Sequence, residues 1–149
     1  MVEFLGIIFL LTGLWMIIFS AHMRTLTCNR VDSNQYICEI LESGLLWSKV
    51  IPLGKLISAE VETKTTGYYS PSNVFNTFYG VILFASRRNF PFTLNHTISS
   101  KKQEAIVFEI NSFVSNPAQK CLTVREDRRF SYCFSGLLAI AAAFLFFIL

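Results

Sequence analysis

Each end of this chain is a run of apolar residues without a single charge. Phe4 to Ala21 reads FLGIIFLLTGLWMIIFSA, and Ser131 to Leu149 reads SYCFSGLLAIAAAFLFFIL. A helix needs about 20 such residues to cross a ~30 Å hydrocarbon core, and both runs approach that length. A buried core helix is rarely apolar on every face. Trp15 lies within the first run, and Tyr132 stands where an interfacial aromatic belt would fall. A cleaved signal sequence would want a positive start and small residues before the cut. This chain opens Met-Val-Glu, and the third residue before a cut after Ala21 is Phe19. The expectation is therefore a retained anchor.

The charged residues lie between the two runs. All thirteen Lys and Arg lie from Arg24 to Arg129, and of the ten acids only Glu3 falls outside that span. The sequence therefore predicts a transmembrane helix over 1–21, one soluble domain over 22–130, and a second transmembrane helix over 131–149. Arg24 and Arg30 follow the first span; Lys120, Arg125, Arg128 and Arg129 precede the second. By the positive-inside rule the domain faces the cytoplasm and both termini face the other side. Cytoplasmic thiols stay reduced, so Cys28, Cys38, Cys121 and Cys133 are expected as free thiols, and a disulfide is the reading if the topology is inverted. On a cytoplasmic domain the glycosylation sequon Asn95-His-Thr97 is a chance match.

The central segment reads as strands first and a helix late. Arg24 to Cys28 and Gln35 to Leu41 alternate around turn chemistry near Ser33, a hairpin pattern that sets Cys28 opposite Cys38. Leu45 to Ile51 is a short strand, broken at Pro52-Leu-Gly54. Leu56 to Thr63 follows, with Ile57, Ala59 and Val61 on one face. Thr65 to Asn76 is a long loop, Phe78 to Ala85 an apolar strand, Ser86 to Asn89 a turn, and Phe90 to Leu94 the return. Ser100-Lys-Lys-Gln103 has the pattern of a capping box. Ile106, Val107, Ile110, Phe113 and Val114 then form one helical face, which Asn116-Pro117 ends. A last strand, Cys121 to Arg125, echoes Thr25 to Cys28, and the two are candidates to pair antiparallel as a stalk.

Short antiparallel strands closed by one amphipathic helix resemble the pleckstrin-homology-like (PH-like) fold, and more closely the membrane-anchored bacterial PH-like domains. Ile51 to Val61, the hairpin Val81 to Leu94 and the helix Ser100 to Val114 carry the resemblance. The general cadence is also similar to small membrane proteins of cyanobacteria. That likeness implies a thylakoid or plasma membrane, with the domain on the cytoplasmic or stromal side. PH-like folds bind lipid headgroups, peptides or proteins, so the fold alone names no function.

Site chemistry is sparse. His22 and His96 have no nucleophile or carboxylate at a recognised spacing, and no C-x-x-C, H-x-x-x-H, G-x-S-x-G or P-loop occurs. The reading is a non-enzyme without cofactor or metal, and the modest net charge of +3 gives no nucleic-acid footprint. Three sets of residues remain. Gly6, Gly13 and Ser20, with Ser135, Ala139 and Ala143, form small-residue stripes through which helices pack closely in lipid. They serve either each other or a larger complex. Tyr68, Tyr69 and Phe75 in the long loop fit a protein contact. Arg87, Arg88, Lys101 and Lys102 would meet anionic headgroups if they share one rim; the alternative is solvated turns. The expected function is an accessory or assembly subunit of a larger membrane complex. The alternative is a headgroup-binding module acting alone.

Overall fold

Strands β1 (Met23–Asp32) and β2 (Gln35–Ser43) are separated by Ser33 and Asn34 alone, so the chain doubles back as the turn chemistry dictates. The computed structural model of the chain describes residues 2–66, 76–93 and 97–148. Strands β3 (Ser48–Gly54) and β7 (Cys121–Asp127) complete a four-stranded sheet of order β3-β2-β1-β7. Strands β4 (Leu56–Thr66), β5 (Asn76–Ala85) and β6 (Asn89–Pro91) form an antiparallel sheet of order β4-β5-β6. With helices α1 (Val2–Trp15), α2 (Ser100–Ser115) and α3 (Arg129–Ile148) the fold is α+β. β1 and β7, whose sequences echo each other, are hydrogen-bonded neighbours.

Two local expectations change. The strand expected at Leu45 to Ile51 begins only at Ser48 and runs through Pro52 to Gly54. This is possible because β3 is an edge strand, where a missing N–H goes unused. In β4 a register shift falls between Leu56 and Ser58. It turns Leu56 inward and leaves Ile57 exposed, while Ala59 returns to the core.

The chain forms two compact units. One gathers Met1–Arg24, Leu41–Val50 and Asp127–Leu149; the other gathers Thr25–Ile40 and Ile51–Glu126. Sequence order alone puts the boundaries at 21 and 130, whereas Leu41–Val50, from the middle of the chain, clusters with the two terminal segments.

The core of the second unit is built by alternation. Leu26 and Cys28 of β1, Tyr36, Cys38 and Ile40 of β2, and Leu122 and Val124 of β7 are buried. They join Val81 and Leu83 of β5 and the face Ile106, Ile110 and Phe113 of α2. Each such side chain contributes about 1.5–3 kcal/mol by leaving water. Helix α2 packs on β4 and β5, and its Asn111 acts as a surrogate strand. Its side-chain oxygen accepts from Ala59 N at 2.9 Å and its amide donates to Ala59 O at 2.9 Å. An edge strand otherwise leaves such groups open. The capping box does not form. Ser99 is the N-cap and makes no side-chain bond. Gln103 is buried and donates instead to Thr97 Oγ1 at 3.0 Å, because a buried amide needs a partner more than a solvated helix end does.

Candidate functional site

The first unit contains α1 and α3 packed antiparallel along their small residues. A Cβ placed on Gly13 would lie 2.7 Å from Gly136 O and 2.7 Å from Ile140 Cγ1. A Cβ on Gly136 would lie 2.6 Å from Ile17 Cγ1. Phe9 stacks on Phe146 with ring centroids 5.6 Å apart. The helices of this chain therefore pack on each other, backbone against backbone, as glycine permits.

The stripes shift in register. Gly6, Gly13 and Ala143 are buried, and Ala139 is half-buried. Ser135 is exposed, and its neighbour Gly136 makes the contact. On the first helix the last turn, Met16–Ser20, is a π-helix closed by Ala21 N donating to Met16 O at 3.1 Å. A π-turn holds more residues than an α-turn, so the fully buried position moves from Ser20, which is half-buried, to Ala21.

Among the described residues one helix is long and apolar enough to span a membrane by itself: Arg129–Phe146, 18 residues of mean hydropathy 1.6. The expected first span falls short. Its apolar helix is Phe4–Ser20, roughly 26 Å at 1.5 Å per residue against a ~30 Å core. On both helices the outward faces are apolar and exposed, including Phe4, Leu11, Trp15, Phe134, Leu137 and Leu145.

A polar collar closes the base of this helical hairpin. Arg24 Nε donates to Glu42 Oε1 at 2.6 Å, with both side chains mostly covered. Arg129 donates through Nη2 to Ser43 Oγ at 2.6 Å and to Ser43 O at 3.1 Å. Asp127 Oδ1 accepts the Arg129 backbone N–H at 3.0 Å, satisfying one of the free donors that open α3. His22 Nδ1 lies 2.8 Å from Ser20 O.

In the second unit Cys28 and Cys38 are joined as a disulfide, which replaces the expected pair of reduced thiols. Their placement across the β1–β2 hairpin brings the sulfurs together. Cys121 and Cys133 are free. Beside the bond, Arg30 holds the end of the domain together. Its Nε donates to Gln119 O at 3.0 Å, Nη1 to Ser33 O at 2.9 Å, and Nη2 to Phe113 O at 2.7 Å. The guanidinium lies over the rings of Tyr36 and Phe113, 5.0 and 4.8 Å from their centroids. The Tyr36 hydroxyl donates to Leu56 O. Burial pushes its phenol above the ordinary value of 10.0, and Arg30 pulls it partly back. A cleft of about 520 Å³ opens here between Arg30, Asp32, Ser33, Pro117 and Lys120. The guanidinium is turned to internal carbonyls rather than offered to a ligand.

The structure does not gather the four candidate headgroup residues. Arg87 and Arg88 are exposed beyond the end of β5, where Ser86 N donates to Lys55 O at 2.8 Å. Lys101 and Lys102 are exposed in the first turn of α2, just after Thr97 bridges Tyr79 near the other end of β5. Most of that ten-residue strand separates the two pairs, roughly 20 Å at about 3.3 Å per residue. Tyr68, Tyr69, Phe75 and His96 lie outside the described residues. Glu62 sits 3.8 Å from Lys64 Nζ, as a solvated strand face would. Among the described residues no group of three His, Cys, Asp or Glu side chains converges as a metal site.

Arg30, which reads in the sequence as a flanking cation, and residues 45–47, which read as the start of a strand, show their contacts only in the fold. Gly136 was legible as one step from Ser135 on the same helix. Comparison with protein families, with characterised proteins and with solved structures yields no match.

Proposed function

We propose that this chain is a non-enzymatic accessory or assembly subunit of a larger membrane complex, anchored by α1 and α3 as a helical hairpin and offering its β domain as an interaction module. One observation carries the anchor: both helices expose apolar side chains outward while their inner faces close on Gly13 and Gly136. In water such a surface is a liability; in hydrocarbon it is the expected one. The shorter first helix is accommodated by local thinning of the bilayer at modest cost. The division into sheets of four and three strands with one amphipathic helix supports a PH-like reading of the domain, from which β7, placed after the helix, departs.

The alternative, a module binding anionic headgroups, loses its main support, because Arg87 and Arg88 stand far from Lys101 and Lys102. Purification in mild detergent tests the choice. Under the subunit reading the tagged chain migrates on native gels with defined partners. A free monomer with salt-sensitive binding to anionic liposomes, lost on Arg87→Ala with Arg88→Ala, would favour the module instead.

Orientation has two readings. The flanking cations favour a cytoplasmic domain. The Cys28–Cys38 bond favours the inverted one, since disulfides persist in oxidising compartments. Labelling of Cys121 from one side of intact membranes decides between them: reaction from the cytoplasmic side supports the first, and reaction only from the opposite side supports the second.

A further inference from the structure

Between β2 and β3 the chain makes a tight turn, Gly44 to Trp47, closed by Gly44 N donating to Trp47 O at 2.8 Å. Its tip is Leu45 and Leu46, which are 60% and 75% exposed. Two leucines at the tip of a turn bury nothing for the fold, and a turn is ordinarily polar. Trp47 folds back over Gly44, where a Cβ would collide with the indole, so the turn is held rigid beneath its apolar tip.

The turn is also tied to the base of the hairpin on both sides. Ser43, immediately before it, receives Arg129 at the start of α3. Trp47 at its end lies against His22, with ring centroids 6.3 Å apart, just after the first helix ends at Ser20. The whole segment Leu41–Val50 belongs to the compact unit of the two helices. Arg24 and Arg129 bond to Glu42 and Ser43 just before the turn, Lys49 follows two positions after it, and Phe130, next to Arg129 in sequence, is 85% exposed and stacked on Phe134. Exposed leucines, a tryptophan and cations at the level where apolar helices end are the composition of a membrane–water interface.

We infer that the Gly44–Trp47 turn is a third membrane contact, which dips Leu45 and Leu46 into the headgroup–acyl boundary of the same bilayer that holds the hairpin. The inference rests on reading α1 and α3 as a membrane anchor. Its role is to set the depth at which the base of the hairpin meets that boundary.

The chain has two tryptophans, and they separate this inference from the reading beneath it. Trp15 reports the helix and Trp47 the turn. Full-length Trp15→Phe and Trp47→Phe variants are reconstituted in phosphatidylcholine vesicles with bromine either near the headgroup or deep in the acyl chains. The expected result is that Trp47 is quenched chiefly by shallow bromine and Trp15 more by deep bromine. Leu45→Ser with Leu46→Ser in the Trp15→Phe background should cut Trp47 quenching by about half. The same pair in the Trp47→Phe background should leave Trp15 quenching unchanged, showing that the hairpin is still inserted. Trp47 unquenched beside a quenched Trp15 would overturn the inference and keep the anchor. Quenching of neither residue would overturn both, and Trp47 quenching indifferent to the leucine pair would overturn the role of the tip.

Discussion

The backbone oxygen of Gly136 lies 2.7 Å from the point where a side chain on Gly13 would begin. No rotamer relieves such a contact, because the obstructing atom belongs to the other helix's backbone. Gly13→Val and Gly136→Val must therefore push α1 and α3 apart, at about 1–3 kcal/mol for overpacking. Because the two share one contact, the double variant should cost less than the sum. Ser135→Val, on the exposed side of α3, should be neutral. Thermal unfolding in detergent reads all four. Cross-linking of Phe9→Cys to Phe146→Cys, which replaces the stacked rings, should fall in the glycine variants and hold in Ser135→Val.

The same helices show how far the sequence could be read. Apolar ends, the Ser33 hairpin, the helix face of Ile106, Ile110 and Phe113, and the echo of β1 in β7 all rest on short-range periodicity, and all appear. What was not legible depends on one residue of slip. The bulge at Leu56 to Ser58 exchanges the faces of Leu56 and Ile57. The π-turn moves the buried stripe from Ser20 to Ala21. Neither leaves a mark in a strict alternation or a heptad count. For the candidate site the difficulty was distance. Arg87, Arg88, Lys101 and Lys102 are basic and close in sequence, yet β5 holds the two pairs apart, a relation visible only once the register of β4 and β5 is known.

Cys28 and Cys38 are separated by ten positions, so their bond closes a short loop. Closing a loop of that size removes unfolded-state freedom worth about 2–3 kcal/mol in the chain-entropy account. Cys28→Ala with Cys38→Ala should lower stability by about that amount, read as a shift in the urea midpoint. Thiol titration of the unfolded, unreduced protein should find two reactive cysteines, Cys121 and Cys133, rather than four. Four would show that the bond does not form in the preparation tested.

Arg30 joins β1 to the end of α2 and the loop that follows it through the carbonyls of Phe113, Asn116 and Gln119. A lysine cannot reproduce that planar fork. Arg30→Lys should cost about 2 kcal/mol and Arg30→Ala about 3 kcal/mol, the price of charged hydrogen bonds at carbonyls left without a partner. Amide exchange should quicken first in the last turn of α2 and at residues 116–120. Equal loss of protection across the whole domain would instead mean that Arg30 acts through global folding.

Tyr36 gives the domain an alkaline limit. Its hydroxyl donates to Leu56 O inside the core, and burial holds the phenol above 10.0 despite the guanidinium of Arg30. Folding thus favours the protonated form. The stabilisation is fully present below the unfolded value near 10.0 and is lost as pH rises through the higher folded value. Tyr36→Phe removes the hydrogen bond and leaves the Leu56 carbonyl unpaired, a loss of about 1–2 kcal/mol at neutral pH. It also removes the titration. The stability gap between wild type and Tyr36→Phe should therefore be constant from pH 7 to about 9 and narrow above about 10. Urea unfolding at stepped pH measures it, and the subtraction cancels every contribution that the two proteins share. A gap that widened with pH would mean that the tyrosinate is the form the fold prefers, with Arg30 outweighing burial.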